Sequence, residues 1–385
     1  MMSAIELAQT SRLDAPFEAT GPLREPGSAS GRNARVTYWT GWLSPEMEGC
    51  SKEVFAFKEH FVRSRVFGLS RYYTLKVSRR DRYIGLNVEL NAVFRLVAPL
   101  YEAMSDINHI YGGLREWFFL RALGRRPIVM TVVTSDAPFE RRFYRHVRRF
   151  VVHAPTTKKR LVEDGFDPDS IRLIYPGVSL THFRPLPRAL APETAWPTRD
   201  AARFRVLFAT TPNSMEGLES RGINLLLQAA RQLPDVEFYL PWRPWTGAAH
   251  LADGCRKQAP PNVHVSTGLV ADMRHLLQAA DATVAPFVLS GDMKVCPTSL
   301  VESLACGRPV LASTRVGIAD LIDQEGCGQV FEPSIDAFCR AVHALRADYR
   351  RQASNARRTA ERHFDVQACL RQHERLYDEI VRSSC

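Results

Sequence analysis

Between residues 288 and 313 the chain carries side chains able to hold a phosphate and a sugar diol side by side. A loop from Val288 to Cys296, containing Gly291, Asp292 and Lys294, runs into Pro297-Thr298-Ser299-Leu300-Val301-Glu302. The apolar spacing that follows predicts a helix starting near Thr298 and Ser299. A helix start offers N–H groups with no partner inside the helix and a partial positive charge, which together suit a phosphate. Lys294, just ahead of it, adds a full charge. Glu302 lies about one turn into the helix, where a carboxylate can accept two hydrogen bonds from a ribose diol. Gly307 ends the helix and Pro309 prevents its continuation. Each residue alone has a plainer explanation: Thr298 and Ser299 as caps, Glu302 as an acid placed by the helix dipole.

The elements that must position this segment alternate along the chain. Residues 36–39 read as a short strand and 51–62 as a helix with Ser51 as N-cap. A mostly apolar helix is expected over 86–104. Strands are expected at 107–111, 128–133, 150–152 and 171–175, with a strongly basic helix at 140–149 and another helix at 156–164. After a proline-rich stretch, 185–203, a second series begins. Its strands are 205–209, 236–240, 263–266, 283–285 and 309–312, and its helices 223–232, 271–279 and 300–305. Helices near 335–346 and 350–381 close the chain. Two such series predict an α/β fold of two doubly wound parallel-sheet domains. Ligands in these folds bind beyond the carboxyl ends of the strands, so the expected active site is the cleft between the domains.

Composition narrows the function classes. The 385 residues suit about two domains. With 45% hydrophobic and 24% charged residues the chain is globular rather than disordered. No apolar run is long enough to span a bilayer and no basic segment with an apolar core opens the chain, which points to the cytoplasm. The 8 cysteines form no CxxC pair and no zinc spacing, so free thiols and no metal are expected. Walker and GxGxxG loops and RNA-binding signatures are missing, which disfavours ATPase, dehydrogenase and nucleic-acid functions. The net charge of +10 is one-sided. Residues 1–190 hold 29 Lys and Arg against 19 Asp and Glu, an excess of ten, while residues 191–385 hold 22 of each. A basic half favours an anionic partner: an anionic membrane surface, met peripherally at its inner face, a phosphorylated or lipid-linked acceptor, or nucleic acid; ordinary solubility is the plainer explanation. Two stretches supply the charge, Phe139 to Phe150 and Arg63 to Arg82; the second is expected on the acceptor approach. In Leu240 to Trp245, Trp242 and Trp245 are read either as a stacking surface for a base or as a packed lid.

"PTSLVESLACGRPVLAS", residues 297–313, resembles the donor-binding signature of GT-B glycosyltransferases of the retaining family 4 type. "VVHAPTTKKRLVEDGFDPDSIRLIYPGVSLTHFRP", residues 151–185, is similar to the end of that family's N-terminal domain. "NVHVSTGLVADMRHLLQAADATVAP", residues 262–286, is similar to the strand–helix–strand before the signature. The resemblance implies a GT-B fold and gives roles by position. Glu302 matches the ribose ligand, the second Glu of a pair. Thr298, Ser299 and Leu300 face the diphosphate, and Arg221, before Gly222, stands for a diphosphate-binding Lys. Gly268 and Leu269 lie beside the base. Gly49, Cys50 and Ser51 replace a glycine-rich turn against the donor. The chain departs from the pattern at Lys294, where the first Glu of the pair, which touches the transferred sugar, would stand; Lys294 or Asp292 takes its catalytic place. The histidine usual after the 128–133 strand is also missing, leaving Asp136 or His109.

The resemblance thus implies a hexosyltransferase-like enzyme moving a sugar from a nucleotide diphosphate sugar, UDP- or GDP-linked, to an acceptor hydroxyl with retention. It implies no other cofactor and no donor-bound metal, and a place in bacterial glycan, glycolipid or natural-product glycoside synthesis. The expected layout is a mobile tail 1–33, an acceptor-side domain 34–187, a linker 188–203 and a nucleotide-sugar domain 204–365. A helix at 366–385 crosses back to the first domain. Three other readings remain open: a non-catalytic nucleotide-sugar-binding partner subunit, a nucleotide-sugar epimerase of the same fold, and, more weakly supported, nucleic-acid binding through the basic half.

Overall fold

The computed structural model describes residues 34–41, 43, 49–70, 75–78, 82–87, 89, 91–134, 141–192, 195–198, 202–212, 214–245, 247–289 and 293–383. The tail 1–33 and the candidates Asp136 and Asp292 lie outside the described residues.

The first half builds an eight-stranded sheet from β1 (Val36–Thr40), β2 (Arg65–Ser70), β3 (Leu75–Ser78), β4 (Tyr83–Asn87), β5 (Ile107–Gly112), β6 (Ile128–Val132), β7 (Val147–Val152) and β8 (Ile171–Leu173). The strand order is β3-β4-β2-β1-β5-β6-β7-β8, and only β3 runs antiparallel to its neighbour. Helices α1 (Gly49–His60), α2 (Asn91–Ala103) and α3 (Pro155–Glu163) connect its strands. The order reverses direction beside β1, so the crevice of this sheet opens past the carboxyl ends of β1 and β5. Strand cores such as Ile128 to Val132 are apolar on both faces and fully buried, as a doubly covered parallel sheet requires.

The second half builds a six-stranded sheet from β9 (Phe204–Leu207), β10 (Val236–Trp242), β11 (Val263–Thr267), β12 (Ala282–Ala285), β13 (Val310–Ser313) and β14 (Gly328–Phe331). Every pairing is parallel, in the order β11-β10-β9-β12-β13-β14. This is the doubly wound dinucleotide-fold order, with its switch point between β9 and β12. Its helices are α4 (Met215–Ser220), α5 (Ile223–Gln232), α6 (Ala248–Gln258), α7 (Met273–Ala279), α8 (Thr298–Ala305), α9 (Ala319–Glu325), α10 (Ile335–Ala347) and α11 (Tyr349–His363). The last helix, α12 (Val366–Arg382), leaves this domain. Its Cys369, Leu370, Leu376, Tyr377 and Ile380 enter the core of the first sheet beside Tyr38 and Phe61.

Several expected elements take another form. The basic segment 140–149 is no helix: Arg141–Tyr144 is one 3-10 turn and Val147 already begins β7. The β-branched Val147, Val151 and Val152 pair with β6, and that burial outweighs the helical spacing of the arginines. The helix expected over 86–104 starts only at Asn91, because Leu86 and Asn87 finish β4. The helix expected over 350–381 is two. Asp365 breaks it, its side chain accepting the Gln367 N–H at 3.1 Å as N-cap of α12. Ser51 is buried inside α1 rather than capping it, since the helix begins at Gly49.

Candidate active site

The two crevices face each other and touch at their floor. Thr134, just past β6, pairs with Lys294 as an antiparallel bridge, and Val295 N–H donates to Val133 C=O at 2.9 Å. Nearby, Gly317 packs so closely that a Cβ there would lie 2.8 Å from Val295 and 3.0 Å from Ala154.

Helix α8 supplies one wall. Its N-cap is Pro297, and no side chain caps it, so neither Thr298 nor Ser299 acts as a cap. Leu300 N–H turns back to the Pro297 carbonyl at 3.0 Å. Leu300 itself is fully buried in the core, whereas Thr298, Ser299 and Glu302 are half-buried along one side of the helix. The Glu302 carboxylate has no hydrogen-bond partner among the described residues. Burial pushes it up to about 7, although the charges of Lys52, Arg243 and Lys294 pull the other way. Among the described residues it is therefore an unused acceptor, acted on by three positive charges and by the opposing Glu53 carboxylate.

Arg221 is held by backbone geometry. It ends α4, and Gly222 behind it has φ +73°. A Cβ at Gly222 would sit 1.9 Å from the carbonyl oxygen of Pro286, the residue after β12. Only glycine lets this turn lie on the switch point. The Val288 N–H then donates to Ser220 C=O at 2.9 Å, fastening the turn to the start of the loop that leads to Lys294. At the neighbouring strand end, Arg243 N–H donates to the Thr211 hydroxyl at 2.8 Å. Gly268 N–H donates to Trp242 C=O at 2.9 Å, and Leu269 beside it is 59% exposed. Trp242 is fully buried among C-terminal core residues, so it offers no face to a base; Arg243, next to it, is half-buried and its charge acts on Glu302.

The opposite wall is α1. A Cβ at Gly49 would lie 3.2 Å from Lys294 Nζ and 3.4 Å from Thr298 Oγ1, so the helix start reaches across the cleft. One turn on, Glu53 accepts Lys294 Nζ at 2.8 Å and the Thr298 hydroxyl at 3.3 Å on Oε1, and the Tyr111 hydroxyl at 2.6 Å on Oε2. Lys294 also donates to Thr298 at 3.1 Å. Burial pushes the Glu53 carboxyl up, but the charges of Lys294 and His153 and the bonds from Lys294 and Tyr111 outweigh it and hold it below its ordinary value. Burial pulls the Lys294 ammonium down, while Cys50 and Glu53 beside it hold it above its ordinary value. His153, past β7, is buried next to this cluster, and desolvation lowers it to about 4.

The structure thus brings Gly49, Lys294, Thr298, Ser299 and Glu302 around one cleft, with Cys50 near enough to act on the Lys294 charge, and adds Lys52, Glu53, Tyr111, His153 and Arg243. No local pattern marks the additions; only the meeting of two domains does. His109 does not reach the cleft. Its Nδ1 bonds the Tyr377 hydroxyl and its Nε2 the Thr131 hydroxyl, each at 2.6 Å, inside the first core. Of the basic stretch 63–82, Arg63, Arg65 and Arg82 cluster at the amino ends of β2 and β4, the pole opposite the cleft, while Arg71, Arg79 and Arg80 lie outside the described residues. Among the described residues no three His, Cys, Asp or Glu side chains cluster as metal ligands, and no helix is long and apolar enough to cross a membrane.

Two doubly wound domains meeting at a cleft are the GT-B architecture, and the comparisons with known proteins add the enzyme class. Residues 62–182 match Glycosyltransferase Family 4 and residues 211–348 match Glycosyl transferases group 1. The chain is a glycosyltransferase of this fold. It is 26% identical over 347 residues, 83% of this chain and 80% of the other, to WcaL of Escherichia coli (strain K12), a glycosyltransferase provisionally assigned to colanic acid biosynthesis. Among solved structures it is similar to Anabaena Alr3699/HepE, crystallised with UDP and glucose (TM-score 0.73, 15% identity, 90% of this chain and 100% of that one). It is also similar to sucrose-phosphate synthase from Thermosynechococcus elongatus (TM-score 0.72, 15% identity, 91% and 100%).

Proposed function

We propose that the cleft binds a nucleotide diphosphate sugar, UDP- or GDP-linked, and that the enzyme transfers the sugar to an acceptor hydroxyl with retention of configuration. The observation that carries this reading is Glu302. A carboxylate kept without a partner in a cleft wall is costly, and a ribose diol donating two hydrogen bonds would relieve it. The α8 start, Arg221, Lys52 and Arg243 supply the positive field for the diphosphate and for the charge that grows on it as the sugar leaves. HepE, of the same fold, holds UDP and glucose in its crystal, which supports this class of donor. Retention rests on the resemblance of residues 297–313 to the family 4 signature, and a place in bacterial glycan synthesis on the likeness to WcaL, named for colanic acid biosynthesis.

For the transferred sugar we propose the Glu53–Lys294–Thr298 cluster. Where the family pattern has one carboxylate, this chain has Lys294, and Glu53 brings the carboxylate from the other domain. Because Glu53 already neutralises the ammonium, the pair suits the hydroxyls of a neutral hexose better than an acidic sugar. We propose the matching layout: acceptor side 34–187, linker 188–203, donor side 204–365.

The test is thermal stabilisation by UDP, GDP, ADP, dTDP and their sugars, on the native chain and on Glu302→Ala. One nucleotide is expected to raise the melting temperature at millimolar concentration, and Glu302→Ala to lose most of that rise. No rise with any nucleotide would remove the donor site. NMR of the product anomer then decides retention.

A further inference from the structure

Helix α2 is apolar on the side turned away from its own domain. Val93 is 39% exposed, Leu96 76%, Leu100 66% and Met104, just past the helix, 43%. At 100° per residue these four fall within an arc of about 80°. Phe94 and Ala98, on the other side, are buried against Trp39 and Phe67. Glu102 is fully engaged inside: its Oε1 accepts the N–H groups of Gly124, Arg125 and Arg126 at 2.7–3.0 Å. A surface helix ordinarily turns polar residues to water, so the outer leucines call for a partner.

Charge identifies the partner. The stripe ends at Met104, whose sulfur lies 3.2 Å from Arg65 Nη1, with the Arg65 guanidinium 5.9 Å from the centre of the Tyr101 ring. Arg65 opens into a basin of about 570 Å³ at the amino ends of β1, β2 and β4, lined also by Arg35, Arg63, Arg82, Val62 and Val77. Val62 and Val77 are 62% and 54% exposed. Arg35 is paired with Asp106 at 2.5 Å, but among the described residues Arg63, Arg65 and Arg82 have no carboxylate within 4.0 Å. Apolar side chains beside unneutralised guanidinia match the two layers of an anionic bilayer surface, acyl boundary and phosphate. Because α2 runs from the carboxyl end of β4 to the amino end of β5, about 20 Å, one end of the stripe lies at the cleft end of the sheet.

We infer that this face docks the enzyme on an anionic lipid bilayer, with Val93, Leu96, Leu100 and Met104 entering the headgroup region and Arg63, Arg65 and Arg82 meeting lipid phosphates. The inference goes beyond the donor chemistry and does not depend on it. The test is sedimentation with vesicles of phosphatidylcholine alone and with about 30% phosphatidylglycerol, with light scattering of the free protein. Binding to the anionic vesicles only is expected. Leu96→Asp with Leu100→Asp should lower it at least about tenfold, and Arg63→Gln with Arg65→Gln about 25-fold, at about fivefold per arginine. All four sites are at the surface, and unchanged melting temperatures check that the variants fold. Three results overturn the inference: no binding to anionic vesicles, equal binding to both vesicle types, or variants that bind as the native chain does. A dimer that the leucine variant dissociates, without vesicle binding, would assign the face to a second copy instead.

Discussion

Glu302 is a side chain that weakens the fold where the proposed donor chemistry would use it. Its carboxyl sits at about 7, above the ordinary 4.5, because burial opposes its charge. A raised acid favours the folded state below pH 4.5, and that benefit is lost as the pH rises through 7. Glu302→Gln should therefore melt about 1–3 °C higher than the native chain at pH 8 and match it at pH 4, in calorimetry without nucleotide. A lower melting point at pH 8 would mean the carboxylate has a partner. At this scale the sequence was readable where punctuation frames a residue: Pro297 and Gly307 bracket the helix of Glu302, and Gly222 follows Arg221. It was silent on Glu53, Lys52 and Arg243. Glu53 lies mid-helix in Gly49–His60 with no neighbour that marks it, and its partners stand more than 50 residues away.

Elements tell a similar story in longer units. Helix α5 was legible to its ends because a glycine opens it and its apolar positions recur with helical spacing, so Ile223, Leu226, Leu227 and Ala230 are all buried. Strands β2 and β4 went unread. Their flanks are crowded with arginines, and their burial comes from a sheet that the local sequence does not announce. The segment 140–149 failed for the opposite reason: it has helical spacing but also valines that β6 claims. The turn ahead of α5 gives the sharpest test of how elements fix the site. Gly222→Ala adds a Cβ 1.9 Å from the Pro286 oxygen in a left-handed backbone, so it should cost at least about 1–3 kcal/mol and weaken nucleotide binding by displacing Arg221. Gly247→Ala is the control: φ is +83° there, but nothing lies within 4 Å, and the expected loss is about 1 kcal/mol with binding intact. Equal effects on binding would show that the switch-point contact does not hold Arg221.

Across the whole molecule, the two alternating series predicted two parallel sheets and the cleft between them, because that pattern leaves few ways to cover both faces of each sheet. What it left out is how the halves lock. Glu53 comes from one and Lys294 with Thr298 from the other, so the polar cluster exists only when both are in place. If the pair acts as a unit on the sugar, Glu53→Gln and Lys294→Gln should each lower turnover about tenfold or more, and the double variant should be no worse than the poorer single one. Multiplying losses would mean that the two act separately.

Helix α12 carries a consequence for how this chain is made. It supplies Leu370, Leu376, Tyr377 and Ile380 to a core that includes Val36, Tyr38 and Phe61, more than 300 residues earlier in the chain. On the ribosome, the first half therefore emerges with part of its interior unfilled and stays so while the second half is synthesised. At about 5–20 residues per second that interval lasts on the order of 10–40 seconds. During it the apolar groove awaiting α12 is open to chaperones and to neighbouring nascent chains.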